Sequence, residues 1–316
     1  MAEDKKEGLK KSSLKARVLS GLIMAPLLVV VLIDGYVLAV ATFIIAMLGL
    51  REFYTAVEKA PALDKKVRPS FGIGYVCVFL LYLSSLIGHF SISVNRFTGE
   101  STYETEITLS GMTVIWLIFA VLLCLLMLLD SKRSLGDALA TIAGVMYIGF
   151  LLYHMVSISG IMSWDPVVIW QARSNYAWFV IFTAFGSDIF AYFAGTLFGK
   201  HKIAPKISPK KSVEGFIGGI FGSTLLCGLY GWFYMPDFFV HSLIIGVLGS
   251  IFALLGDLCA SAIKRRLGIK DFGKLIPGHG GILDRIDSIL FTAPFVNYYV
   301  TIAMLISFKG TLYFQM

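Results

Sequence analysis

Four aspartates, Asp188, Asp257, Asp284 and Asp287, lie inside or directly against long apolar runs of a 316-residue chain. A carboxylate placed among apolar groups costs several kcal/mol unless a cation, a metal or hydrogen-bond donors meet it. Each one therefore asks for a partner, and candidate partners recur at helical spacing. Asp188 is followed at 4, 7 and 11 residues by Tyr192, Gly195 and Gly199, all on one helical face. The two glycines form a small-xxx-small pair that lets a second helix or a ligand approach. The loop beyond them runs to "SPKKS", where Ser208 suits an N-cap and Pro209 the first helical position. That placement puts Lys210 and Lys211 in a first helical turn, beside free backbone N–H groups, as a site for an anion.

A second cluster, "GDLCASAIKRR", spaces Asp257, Ser261, Lys264 and Arg265 so that one stripe carries a carboxylate, a hydroxyl and two cations. The third is "KLIPGHGGILDRIDSILF", in which a glycine loop that permits close backbone approach precedes Asp284 and Asp287, three residues apart on one helical face with Arg285 between them. Helix packing explains the glycines, topology the lysines and capping the first-turn aspartates, one feature at a time. Together the clusters supply hard oxygen ligands, many cations and two phosphate cradles. That is equipment for Mg²⁺-assisted phosphoryl or nucleotidyl transfer, in which positioning and charge neutralisation carry the catalysis. The chain has no Gly-rich Walker loop and no serine or cysteine nucleophile triad, and its four cysteines lack the paired spacing of a zinc or redox site.

The elements that must hold these residues are apolar. Hydrophobic residues make up 57% of the chain, charged residues 15%, and the mean hydropathy is +0.79. Several runs approach the roughly 20 residues a helix needs to cross a bilayer, and none shows the alternation of a barrel strand. The expected fold is an all-α polytopic membrane protein with nine spans near 15–33, 36–57, 70–88, 111–129, 135–160, 176–198, 214–235, 239–263 and 283–307. The fifth is interrupted by Gly144, Gly149, His154 and Gly160. With the N-terminus in the cytoplasm, all but Arg96, Arg173 and Lys309 of the 27 lysines and arginines fall on the inner side. The chain divides into a basic N-terminal segment at 1–14, N-terminal spans over 15–175 and a catalytic region over 176–310. A tail at 311–316, "TLYFQM", resembles the remnant of an engineered protease site. The outer segment "HFSISVNRFTGESTYETEITLSG" reads as a solvated loop.

The run Ser261 to Asp287, "SAIKRRLGIKDFGKLIPGHGGILDRID", closely resembles the signature of the CDP-diacylglycerol synthases, or phosphatidate cytidylyltransferases. Its serine, its Lys-Arg and Lys-Asp pairs, its His-Gly-Gly and its Asp-Arg-x-Asp are all in register. The run from Asp188, "DIFAYFAGTLFGKHK", with the following "ISPKKSVEG", is similar to the family's other recurrent block. The resemblance is detailed from Asp188 to Ser288 and loose over the N-terminal half. It departs at Ala260, where members often carry an acidic residue, and mildly at Ser212, where threonine is common.

The resemblance implies conversion of CTP and phosphatidate to CDP-diacylglycerol and pyrophosphate, with Mg²⁺ and room for a second cation such as K⁺. On the matching positions, Asp257 and Asp284 are expected as principal metal ligands, with Asp287 and Asp188 in or just behind them. Lys264, with Lys210, Lys211, Arg265 and Arg285, is expected to offset repulsion between the two anionic substrates. His279, Gly280 and Gly281 contact phosphates in this reading, and His279 is placed to protonate pyrophosphate. Ser208 and Ser261 complete the substrate-binding set. Membrane lipids are expected partners and nucleic acid is not; a homodimer is compatible. The site is expected at the cytoplasmic face of the inner membrane. Two rivals remain open: another CTP-using lipid enzyme, such as a polyprenol kinase or a synthase acting on archaeal-type ether lipids, and an ion-coupled transporter with carboxylates at mid-membrane.

Overall fold

The structure, a computed structural model, describes residues 35–63, 66–87, 92–98, 101–107, 133–158, 169–275 and 280–314. Seven helices carry the chain: α1 (Gly35–Glu58), α2 (Phe71–Ile87), α3 (Leu135–Ile158), α4 (Ile169–Phe198), α5 (Val213–Tyr234), α6 (Phe239–Leu267) and α7 (Leu283–Phe314). Among the described residues, five stretches are long and apolar enough to cross a membrane: Val37–Glu58, Leu135–Ile158, Tyr176–Phe198, Val213–Tyr234 and Pro236–Leu267. The expected spans near 15–33 and 111–129 lie outside the described residues. A mostly helical chain with several such helices is an integral membrane protein, as its composition requires. Its outward faces agree, since Phe193, Leu197, Phe221, Trp232 and Phe233 are large, apolar and exposed, which suits hydrocarbon and not water.

Two short antiparallel ribbons complete the chain. The outer segment expected to be a loop contains a hairpin, β1 (Ile92–Thr98) with β2 (Ser101–Ile107), in a register that pairs Ile92 with Ile107 and Thr98 with Ser101. The sequence "SISVNRFTGESTYETEI" contains the alternating Val, Phe, Thr and Tyr residues of paired strands around a Gly-containing turn, which the solvated-loop expectation passed over. The second ribbon, β3 (Lys202–Ala204) with β4 (Ser208–Ser212), lies between α4 and α5.

Packing runs in chain order through the C-terminal half, α4 along α5, α5 along α6 and α6 along α7, while α1, α2 and α3 form a second group that α7 joins through α3. The shared core is built from Leu50, Phe53, Tyr54, Val78, Ile148, Phe179, Leu283, Leu290 and Val296. The fifth expected span is one helix after all. Gly144 and Gly149 do not interrupt it over Leu135–Ile158, although Val145–Phe150 widens into a π-helical turn, and Gly160 lies outside the described residues. Gly144 instead leaves the space that the fully buried Tyr54 ring fills, and the Tyr54 hydroxyl donates to the Thr141 carbonyl at 2.7 Å. The start of α3 is fixed by a reciprocal cap between Ser134 and Asp137, and Asp137 also accepts from the Arg68 N–H at 2.6 Å. These contacts join the 59–70 loop to α3.

A Cβ at Gly144 would lie 2.3 Å from Tyr54 Cε1 and 3.0 Å from Leu50 Cδ1. Gly144→Val is expected to destabilise the bundle by about 1–3 kcal/mol through overpacking. A lowered thermal midpoint in detergent, with Gly72→Ala at an open position as the comparison, measures it.

Candidate active site

The three sequence clusters meet because α4 and α6 end, and α7 begins, on the same side of the bundle. Asp188 precedes the last residue of α4, Phe198, by ten positions; Asp257 precedes the last residue of α6, Leu267, by ten; Asp284 is the second residue of α7. Asp188 and Asp257 therefore lie about two-thirds of the way along α4 and α6, and Asp284 lies at the start of α7.

Ser208–Ser212 is a strand, and this corrects the helical placement of its lysines. Pro209 sits in an extended run whose register pairs Ala204 with Ser208 and Lys202 with Ser212. The N-cap is Ser212, at φ −121° and ψ 155°, and its hydroxyl accepts from the Gly215 N–H at 3.2 Å. Lys210 and Lys211 consequently act from a ribbon, by side-chain charge, and not from a first turn beside free N–H groups. Lys211 Nζ reaches Asp257 Oδ2 at 2.5 Å, and Ser261 Oγ donates to Asp257 Oδ1 at 3.2 Å. The ribbon is anchored by Glu214, which accepts from the backbone N–H groups of Lys200 and His201 and pairs with His201 Nδ1 at 2.6 Å.

Ribbon and helices enclose a cavity of about 540 Å³. Asp188, Asp257, Lys210 and Lys211 are among its lining residues, together with Tyr192, Phe216 and Leu254. Gly195 gives the ribbon its close approach, because a Cβ there would lie 3.1 Å from Ser212 Oγ. The glycine spacing after Asp188 thus packs α4 against the α5 cap and shapes the cavity at the same time.

The second half of the site is the start of α7. Lys264 does not turn to Asp257 on its own helix but crosses to Asp284 Oδ1 at 2.7 Å, with both side chains buried. Asp284 Oδ2 also accepts from the backbone N–H groups of Phe272 at 2.9 Å and Gly281 at 3.1 Å. Lys264 Nζ stands 5.4 Å over the Phe272 ring, a cation–π contact in a desolvated setting. Gly280, at φ 89°, turns the chain into the helix through backbone space that favours glycine. Asp287 is buried and accepts from the Ser288 N–H at 3.0 Å, while Ser288 Oγ donates to Asp188 Oδ2 at 3.0 Å. Asp188 and Asp287 each lie within the electrostatic reach of Asp257. Ser288 links two of them, donating its hydroxyl to Asp188 and its backbone N–H to Asp287.

The remaining expected residues divide. Ser208 begins β4, opposite Ala204. Arg265 is directed to the Ile207 and Ile269 carbonyls at 3.4 and 3.2 Å and so ties α6 to the ribbon. Arg285 is exposed. His279 lies outside the described residues. Ala260 is fully buried in the core. Among the described residues, no group of three or more carboxylate, histidine or cysteine side chains already converges on one metal position.

Two residues of the site come from the half that carries only a loose resemblance. Glu52, near the end of α1, accepts from the N–H groups of Ile282 at 3.1 Å and Leu283 at 3.0 Å. Tyr147, in the π-helical turn of α3, buries a hydroxyl that has no hydrogen-bond partner among the described residues, within the electrostatic reach of Asp257, Asp284 and Asp287. A lone acid in the apolar run "AMLGLREFYTAV" was the available signal for Glu52. Nothing in the sequence around Tyr147 marks it.

A buried pair costs most when only one member is removed. Lys264→Met is expected to destabilise the protein by about 3 kcal/mol, because it strands the Asp284 charge. Lys264→Met with Asp284→Asn should recover most of that loss, since the amide still accepts from Phe272 and Gly281. Thermal unfolding of the two variants in detergent distinguishes them.

Comparisons with known proteins identify the family. The model of the cytidylyltransferase family matches residues 15–303. The chain is similar to the phosphatidate cytidylyltransferase of Synechocystis sp., at 30% identity over 295 residues that cover 86% of this chain and 91% of the relative. It is also similar to the phosphatidate cytidylyltransferase of Bacillus subtilis, at 34% identity over 228 residues, 71% of this chain and 77% of the relative. A third similar protein, the phosphatidate cytidylyltransferase of Staphylococcus haemolyticus, is 37% identical over 182 residues, 56% of this chain and 64% of the relative. Matched over nearly all of its length, with the aspartate clusters inside the match, the chain belongs to the cytidylyltransferase family.

Proposed function

We infer that the protein is a phosphatidate cytidylyltransferase, transferring the cytidylyl group of CTP to phosphatidate to give CDP-diacylglycerol and pyrophosphate. The observation that carries this beyond family membership is a cavity lined both by charged residues, Asp188, Asp257, Lys210 and Lys211, and by Tyr192, Phe216 and Leu254. The lysines suit a nucleotide phosphate, and the aromatic and apolar residues suit the glycerol end of a lipid. In the reaction a phosphate oxygen of phosphatidate forms a bond to the α-phosphorus of CTP, and the bond from that phosphorus to the β-phosphate bridging oxygen breaks. The nucleophile is already an anion, so the protein has no need of a strong base. Its task is to hold two anions together, which falls to Lys210, Lys211 and Lys264 with Arg285 at the rim. Gly280 and Gly281 let phosphate approach the backbone, and His279 is the proposed donor of a proton to pyrophosphate.

The donor set fits Mg²⁺, a hard cation that takes carboxylate oxygens. Asp188 and Asp287 are joined through Ser288, Asp257 accepts from the Ser261 hydroxyl, and Asp284 is a fourth carboxylate held by Lys264. These four aspartates would hold the ion, which when bound neutralises charge on the triphosphate; a second cation such as K⁺ fits the same acidic set. We further place the site at the cytoplasmic face of the inner membrane in a nine-span topology with the N-terminus inside. The distribution of lysine and arginine supports this. That placement lets a soluble nucleotide meet a lipid whose tails stay in the bilayer.

Purified protein incubated with labelled CTP and phosphatidate is expected to yield a lipid-extractable cytidine product only when Mg²⁺ is present. Asp257→Asn should abolish it while leaving the protein folded, and Lys211→Ala should raise the KM for CTP by about tenfold, the loss of one charge-assisted contact. No lipid-extractable product from the wild-type protein would overturn the reading.

A further inference from the structure

We propose that Glu52 is a positioning residue of the active site, holding the turn before α7 so that Asp284 stays aimed at Lys264. The inference rests on the reading of the site given above and adds to it a residue from outside the aspartate clusters.

Four backbone N–H groups around this turn are shared between two carboxylates. Ile282 and Leu283 donate to Glu52, and Phe272 and Gly281 donate to Asp284. An ordinary helix cap comes from the residue just before the helix. Here it comes from α1, 230 and 231 residues away, and a space has been left for it. A Cβ at Gly273 would lie 2.3 Å from Glu52 Oε1, and one at Gly281 would lie 2.4 Å from Glu52 Oε2. Both glycines thus flank the carboxylate, one from each side of the glycine loop.

The arrangement leaves Asp284 a defined set of donors. Without Glu52, the freed N–H groups of Ile282 and Leu283 would need an acceptor at a half-buried helix start. The nearest carboxylate in sequence is Asp284 itself, which would then fold back onto its own helix and away from Lys264. Glu52 does not touch the reacting atoms in this account. It acts through Asp284.

The test uses the full-length protein in detergent with Glu52→Gln, which keeps the volume and one acceptor oxygen, and Glu52→Asp, which keeps the charge on a shorter stem. In Glu52→Gln, hydrogen exchange at the Ile282 and Leu283 amides is expected to quicken by about tenfold or more. The kcat should fall and the Mg²⁺ half-saturation rise, each by about 10- to 100-fold, the usual effect of losing an outer partner of a ligand. KM for phosphatidate should stay within about twofold, and the thermal midpoint should change little. Glu52→Asp should recover part of the kcat. Exchange and kcat at wild-type values in Glu52→Gln would overturn the proposal, as would a loss of activity that merely tracks loss of folded protein. Inactivity of the wild-type enzyme with CTP and phosphatidate would instead overturn the functional reading, and the exchange measurement would still decide the role of Glu52.

Discussion

The buried ion pair between Lys264 and Asp284 is the constraint around which the rest of the site is arranged. Two opposite charges removed from water cost several kcal/mol each, and their attraction returns this only when the geometry is good and the other lone pairs are satisfied. The chain meets that condition with the Phe272 ring beneath the ammonium and two backbone N–H groups on the carboxylate. The N–H groups of Phe272 and Gly281 reach Asp284 because α7 begins within reach of Lys264, after α6 has ended at Gly268, at φ 72°.

The two halves of the chain contribute differently. The C-terminal half presents charge from the ends of three helices and a ribbon, while α1, α2 and α3 supply packing and a single acceptor at the loop. Lys211 on the ribbon repeats, more openly, what Lys264 does in the interior: each neutralises one aspartate, and the Lys211 pair retains about a quarter of its side-chain surface exposed. The interior pair joins α6 to α7, and the ribbon pair borders the cavity. Because the ribbon is tied to α6 through Arg265 and to α5 through Ser212 and Glu214, the cavity wall is continuous with the helices that carry the acids.

Much of this was legible in the sequence because burial of charge leaves a plain trace there. An aspartate in "IFALLGDLCA" or "HGGILDRID" has no solvent to face, so its presence marks a site whatever the tertiary structure. The described helices from Gly35 onward follow from apolar run length. Most of their ends fall within four residues of expectation, although α4 begins seven residues before and α7 runs seven residues beyond the expected bounds. The ribbon was not legible. "SPKKS" satisfies the local rules for a helix start, and only the pairing of its backbone with Lys202–Ala204, a contact between segments, selects the strand. The partner of Lys264 was hidden for the same reason: helical spacing offered Asp257, and the true partner belongs to another helix. Glu52 was visible as a lone acid in α1 but uninformative, since no spacing rule connects it to a loop more than two hundred residues away.

That last separation bears on how the protein is made. Glu52 belongs to the first helix described and its two N–H partners to the last, so the acceptor is synthesised long before anything can occupy it. The entropy of closing so long a loop grows only slowly with length, by roughly 0.6 kcal/mol per doubling, and helices already assembled side by side remove much of that cost. The order of events is nevertheless fixed. Until Leu283 has been made and docked, α1 carries a carboxylate without its donors, and a chain ending short of α7 would keep it in that state. The contact therefore forms only once α1 and the start of α7 are both in place.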